Sequence, residues 1–236
     1  MKTRNTILLS LIVLFSISLL IIGKWAASIQ LFNSLPLLIN RNIVYQAVTL
    51  VLALILLIIL RFFRKLEFDE HFRKGNISDP IKPETWIGIK PKSSENWLHY
   101  GRNLAIIITF VTAVIIYFQV IKQGEILWLN WLKYLPFILI FAVINSFVEE
   151  IITRFGVVVS LKGVLSDKII PIVSAVIFGT IHFWGTPGGV FGVLFAGFLG
   201  WFLAKSIIET KGIYWAWLIH FLQDVVIFSA MLLILN

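Results

Sequence analysis

The chain has no cysteine in its 236 residues, which excludes disulfides, thiol catalysis and iron–sulfur ligation. Charge is scarce as well: Asp, Glu, Lys and Arg make up 14% of the residues, where a soluble domain carries about a quarter. The His-Glu-x-x-His zinc signature is missing, no serine has a recognisable base partner, and no internal repeat or low-complexity tract is present. What remains is apolar length. Hydrophobic residues reach 59% and mean hydropathy is +0.94, so lipid is the solvent for most of this chain. Continuous apolar runs, as opposed to alternating ones, imply helical spans and exclude a β-barrel.

The expected fold class is therefore an all-α polytopic bundle of about seven transmembrane helices. Their predicted limits are Thr6 to Ala27, Ile43 to Phe63, Asn103 to Ile121, Leu135 to Leu161, Ile169 to Trp184, Gly188 to Lys205 and Ile213 to Leu235. The first run is long and its candidate cleavage region at Ala26-Ala27 is weak, which favours a retained signal-anchor over a cleaved signal peptide. Most cations, from Lys2 and Arg4 through Arg61, Arg64 and Lys65 to Lys162, Lys168, Lys205 and Lys211, fall on one side of this threading. Lys24, Arg41, Lys122 and Lys133 fall on the other. The positive-inside rule then puts the N-terminus and the long loop in the cytoplasm and Asn236 outside, in a multi-pass protein of the cell membrane. Topology and anionic lipid account for the net charge of +8, and no nucleic-acid partner is implied.

Two domains are expected: residues 1–102, with two helices and a cytoplasmic connector, and residues 103–236, a transmembrane core. The connector, Arg64 to Arg102, holds Pro80, Pro83, Pro91, Trp86 and Trp97. Its Asn76-Ile77-Ser78 sequon would go unused on the cytoplasmic side. In the sixth span Gly188, Gly192, Ala196 and Gly200 recur at four-residue steps, a pattern that lets helix backbones approach closely and marks scaffold.

Each charge inside a span costs about 2.5–3.5 kcal/mol even on the lenient insertion scale, so such residues mark function. The fourth span holds Glu149, Glu150 and Arg154, the fifth His182, and the seventh His220 and Asp224. Glu150 with Arg154, Phe178 with His182, and His220 with Asp224 are each spaced i,i+4 and share a helix face. Glu149 and His182 lie sixteen and seventeen residues from Leu165, which sets them level on antiparallel helices. Glu150 with Arg154 reads as a structural ion pair. Asn145, one turn before Glu149, is placed to orient that carboxylate. Glu149, buried in a low dielectric, is suited to general acid–base work on water. A metal such as Zn is an open alternative, with His182, His220, Asp224 and Glu149 as candidate ligands.

These segments carry a family resemblance. Glu149-Glu150-Ile151-Ile152-Thr153-Arg154 resembles a Glu-Glu-x-x-x-Arg motif, Phe178-Gly179-Thr180-Ile181-His182 a Phe-x-x-x-His motif, and His220 to Asp224 a His-x-x-x-Asn/Asp motif. In that order they resemble the type II CAAX prenyl endopeptidase and bacteriocin-processing (CPBP) family of intramembrane proteases. Trp86 to Lys90 and Trp97 resemble the segment that precedes the family's core, while Thr153 and Phe155 depart from its pattern. The resemblance implies hydrolysis of a hydrophobic or membrane-delivered peptide, with Glu149 and His182 activating water and His220 and Asp224 stabilising the oxyanion. Two other classes stay open: a non-catalytic membrane partner of the same fold, and a proton-coupled transporter.

Overall fold

A computed structural model describes residues 2–186 and 188–234. The expected end of the last span at Leu235 and the outside placement of Asn236 lie beyond the described residues. Among those described, nine α-helices are present: α1 (Lys2–Ala26), α2 (Leu37–Phe63), α3 (Lys65–His71), α4 (Trp97–Gln119), α5 (Trp128–Glu150), α6 (Gly156–Leu161), α7 (Ile170–Ile181), α8 (Gly189–Thr210) and α9 (Tyr214–Leu233). A π-helical segment, Ile151–Phe155, joins α5 to α6, and a 3-10 turn, His182–Trp184, closes α7.

Six helical runs are long and apolar enough to cross a membrane. Ile170–Trp184 is the exception: at about 1.5 Å per residue it reaches roughly 22 Å, short of a ~30 Å hydrocarbon core. It therefore ends inside the bundle and delivers His182 there. Other limits also shift: α2 starts at Leu37, ahead of the expected Ile43, and α8 runs on to Thr210, past Lys205. Helix α4 starts at Trp97, where Asn96 accepts a hydrogen bond from the His99 amide as an N-cap. The fourth span starts at Trp128 and runs as one 34-residue unit to Leu161.

At one end of the bundle the α1–α2 loop folds around Asn40. Its Oδ1 accepts from the amides of Leu31 and Phe32, and its Nδ2 donates to the carbonyls of Phe32, Leu35 and Pro36. At the other, basic end the connector is pinned to α8. Lys205 pairs with Glu84 at 3.1 Å and with Glu209 at 2.5 Å, and Glu209 accepts from the Trp97 indole at 3.0 Å. Gly75 and Gly212 meet backbone to backbone there, with no room for a side chain on either.

The α1 and α2 residues Leu8, Ile12 and Leu56 bury in one core with Phe155, Val158 and Phe202. Helices α7 and α8 approach closely, as the small residues predict, but not through the four-step set alone. A Cβ on Gly200 would stand 3.0 Å from the Ala175 Cα, and one on Gly179 3.1 Å from the Gly197 Cα. Gly192 and Ala196 instead wall a cavity.

Candidate active site

Three helices bring the in-span charges into one layer. From the end of α5 come Asn145, Glu149 and Glu150, from the π-helical segment Arg154, and from α9 His220 and Asp224. The π-helical geometry follows directly on the two glutamates. Such widened turns recur at functional sites, because they change the direction in which successive side chains leave the helix.

The contacts are specific. Glu150 Oε1 lies 3.1 Å from Arg154 Nη1 and 2.8 Å from His220 Nδ1. Asn145 Nδ2 donates to Glu149 at 3.2 Å and to Asp224 at 3.1 Å. His220 Nε2 faces Glu149 Oε2 at 3.5 Å and Asp224 Oδ2 at 3.8 Å. The carboxylate that orients His220 is thus Glu150, not the i,i+4 neighbour Asp224. Glu150 is more than half of an ion pair with arginine: one oxygen serves two cationic or donor groups.

Phe178 is the hub of the aromatic side. The Arg154 guanidinium lies 3.3 Å from its ring centroid, His182 packs on it at 4.0 Å and His220 meets it edge-on at 5.8 Å. His182 Nδ1 is 2.9 Å from the Phe178 carbonyl. A carbonyl only accepts, so Nδ1 carries the hydrogen and Nε2 of the neutral ring is left as an acceptor.

A cavity of about 570 Å³ adjoins this layer, bounded by Asn145, Glu149, Phe178, His182, His220 and Asp224. Leu104, Val111, Phe195 and Leu199 give it apolar walls between α4 and α8. Every candidate named from the sequence either borders the cavity or, as with Glu150 and Arg154, is buried directly behind it. Three carboxylates meet the Arg154 guanidinium and two imidazoles here, and Arg41 lines the same cavity. Polar atoms stay unmatched: Glu149 Oε2, Glu150 Oε2 and Arg154 Nε and Nη2 are buried without a hydrogen-bond partner.

Among the described residues no three His, Asp or Glu side chains are arranged to hold a metal ion. The chemistry below is built on the side chains alone.

Sequence reasoning missed the contribution of α2. Gln46, 2% exposed, donates to Asn145 Oδ1 at 3.3 Å and so fixes which end of that amide faces the two carboxylates. A polar residue deep in an otherwise apolar run was the available signal. Ser174, which donates to the Thr153 carbonyl at 2.8 Å and braces the π-helical segment, was also missed.

Fold and site together define a polytopic helical membrane protein with a buried acid–imidazole layer opening on an intramembrane cavity. Residues 130–226, which carry every candidate site residue, match the family described as Rce1-like, type II CAAX prenyl endopeptidase Rce1-like. That match covers less than half of the chain and supports assignment to the CAAX-protease superfamily; α1 to α4 lie outside it. No curated protein and no solved structure matches.

Proposed function

We propose that this chain is an intramembrane endopeptidase that hydrolyses a peptide bond of a hydrophobic or membrane-delivered substrate. The observation that carries the reading is the convergence of Glu149, His182, His220 and Asp224 on one cavity inside a membrane-spanning bundle. In this mechanism Glu149 takes a proton from water as the oxygen adds to the scissile carbonyl carbon. The same carboxyl then gives that proton to the departing amine as the C–N bond breaks. His182 Nε2, free to accept, helps hold the water. His220 acts as an imidazolium, giving its Nδ1–H to Glu150 and its Nε2–H to the oxyanion. Asn145 keeps Glu149 and Asp224 apart from one another by donating to both.

The concentration of cations at the end formed by the connector, the 162–168 turn and the α8–α9 turn supports a cytoplasmic N-terminus in a cell membrane. Membrane peptides from cells carrying the active chain should contain products that vanish with Glu149→Ala. Identical peptide profiles, with the cellular effect of the protein intact, would replace hydrolysis with a non-catalytic partner role.

A further inference from the structure

A second cavity, of about 960 Å³, opens at the basic end, lined by residues of the connector, the 166–168 turn, α7 and α8. It is lined between α7 and α8 by Ala175 and Gly197, where a Cβ on Gly197 would stand 3.5 Å from the Ala175 carbonyl oxygen, and beside them by Ile172, Phe198 and Trp201. Ile172 is 53% exposed, so this groove faces lipid. At its mouth Trp86, 67% exposed, meets Trp201 edge-on at 5.1 Å, in the manner of aromatic residues at a membrane–water interface.

The polar rim is unequal in a way that names an occupant. Every carboxylate on it is already engaged. Glu84 and Glu209 both bind Lys205, Glu84 also accepts from the Trp86 indole at 3.0 Å, and Asp167 pairs with Lys162 at 2.7 Å. The ammonium groups of Lys82 and Lys168, both of which line the cleft, make no ion pair or hydrogen bond with any described residue. Uncommitted positive charge therefore sits over an apolar slot, with no uncommitted acid beside it.

We infer that this cleft is a binding site for one anionic phospholipid, its phosphate between Lys82 and Lys168 and one acyl chain in the groove between α7 and α8. Apart from Phe198, which lines both cavities, none of these residues borders the first one, and the inference does not depend on the proteolytic reading. The cleft walls are held rather than loose: Glu84 and Trp97 tie the connector to α8 on one side, and small residues lock α7 to α8 on the other. A lipid seated there buttresses α7, the helix whose far end carries His182.

The test uses the full-length protein in nanodiscs containing phosphatidylcholine with or without phosphatidylglycerol, followed by native mass spectrometry after partial delipidation. One phosphatidylglycerol should be retained per chain in preference to phosphatidylcholine. Its retention should fall about fivefold for each of K82Q and K168Q, the value of one lysine near an anionic surface. The charge-matched single controls K90Q and K92Q, at connector lysines that do not line the cleft, should each leave retention within twofold. Gly197→Leu, which fills the groove, should also displace the lipid. Inorganic phosphate at millimolar concentration should not compete, because it lacks the chain. Equal loss in the controls, equal retention of both lipids, or displacement by phosphate alone would each overturn the proposal.

Discussion

Two buried charge clusters in this protein use similar residues to opposite ends. At the basic end Lys205 is shared by Glu84 and Glu209, and Glu209 is completed by the Trp97 indole and the Lys82 amide. Every strong donor and acceptor there has a partner, and the cluster fastens the connector to α8. In the intramembrane layer Glu149, Glu150, Asp224 and Arg154 meet two imidazoles around a cavity, and four of their polar atoms lack partners. Leaving buried polar atoms unmatched costs about 1–3 kcal/mol each. This contrast supports the proposal that the chemistry belongs to the second cluster.

Substitutions can separate the two. The largest loss of stability should come from Arg154→Ala, which removes the one guanidinium of the inner layer together with its contact on Phe178. Stranding a buried carboxylate in this way costs about 3–5 kcal/mol. Glu150→Gln neutralises the same pair and should cost clearly less. Thermal unfolding of both in detergent measures the difference, and equal midpoints would remove the ion-pair account of Glu150 and Arg154.

Lys205→Met should cost about 2–3 kcal/mol, since two acids lose a common cation but keep other donors. Hydrogen exchange in residues 80–97 should quicken, while turnover per folded molecule falls far less than for a change at Glu149. A loss of turnover as deep as that of a Glu149 variant would erase the distinction between pin and site.

Asp224→Asn is a finer probe. The amide still accepts from Asn145 and adds a donor toward the oxyanion, so cleavage should stay within about tenfold of the parent and ignore chelators. Loss of cleavage together with loss of a bound metal, read by elemental analysis of the same sample, would show that Asp224 is a ligand and that the side chains rearrange around an ion.

The smallest effect belongs to the exposed pair Glu70 and Lys211, 2.9 Å apart. The hydrogen bond from Lys211 holds the Glu70 carboxyl below its ordinary value. Its contribution is thus complete above the ordinary glutamate range and is lost as pH falls through the lowered one. Solvent screening limits it to a few tenths of a kcal/mol, about the size of other surface pairs. Glu70→Gln should flatten that small acid-side slope in the unfolding midpoint and leave the neutral value almost unchanged.

Much of this architecture was readable in the residues, for a physical reason. Hydropathy reports which solvent a segment needs, so the long runs announced helices, and a charge inside such a run announced a site because lipid cannot solvate it. Glu149, His182, His220 and Asp224 were found that way. Partnership across helices was not readable. Lys205 looked like one more interfacial cation, yet it is 4% exposed and holds two acids. Gln46 lies 99 positions from Asn145 in sequence, and nothing local joins them. The π-helical segment has no local signature either, since Ile151 to Phe155 would suit an ordinary helix. It persists because Ser174, from α7, and the Glu149 carbonyl, bonded by Thr153, hold its backbone. The half-length of α7 was hidden by Phe183 and Trp184, which extend the apolar run past the point where the helix tightens and stops.

The central claim is that the unsatisfied layer performs proton transfer and does not serve to hold the fold together. Glu149→Gln measures this directly, in nanodiscs, with cleavage of a substrate identified from membrane peptides and thermal unfolding read on one preparation. The amide keeps the shape of the carboxyl but cannot accept a proton from water. Turnover should therefore drop at least a hundredfold, as for loss of a general base, while the unfolding midpoint stays level or rises because a buried charge is gone. Turnover near that of the parent, or a drop matched by unfolding of the variant, would contradict it.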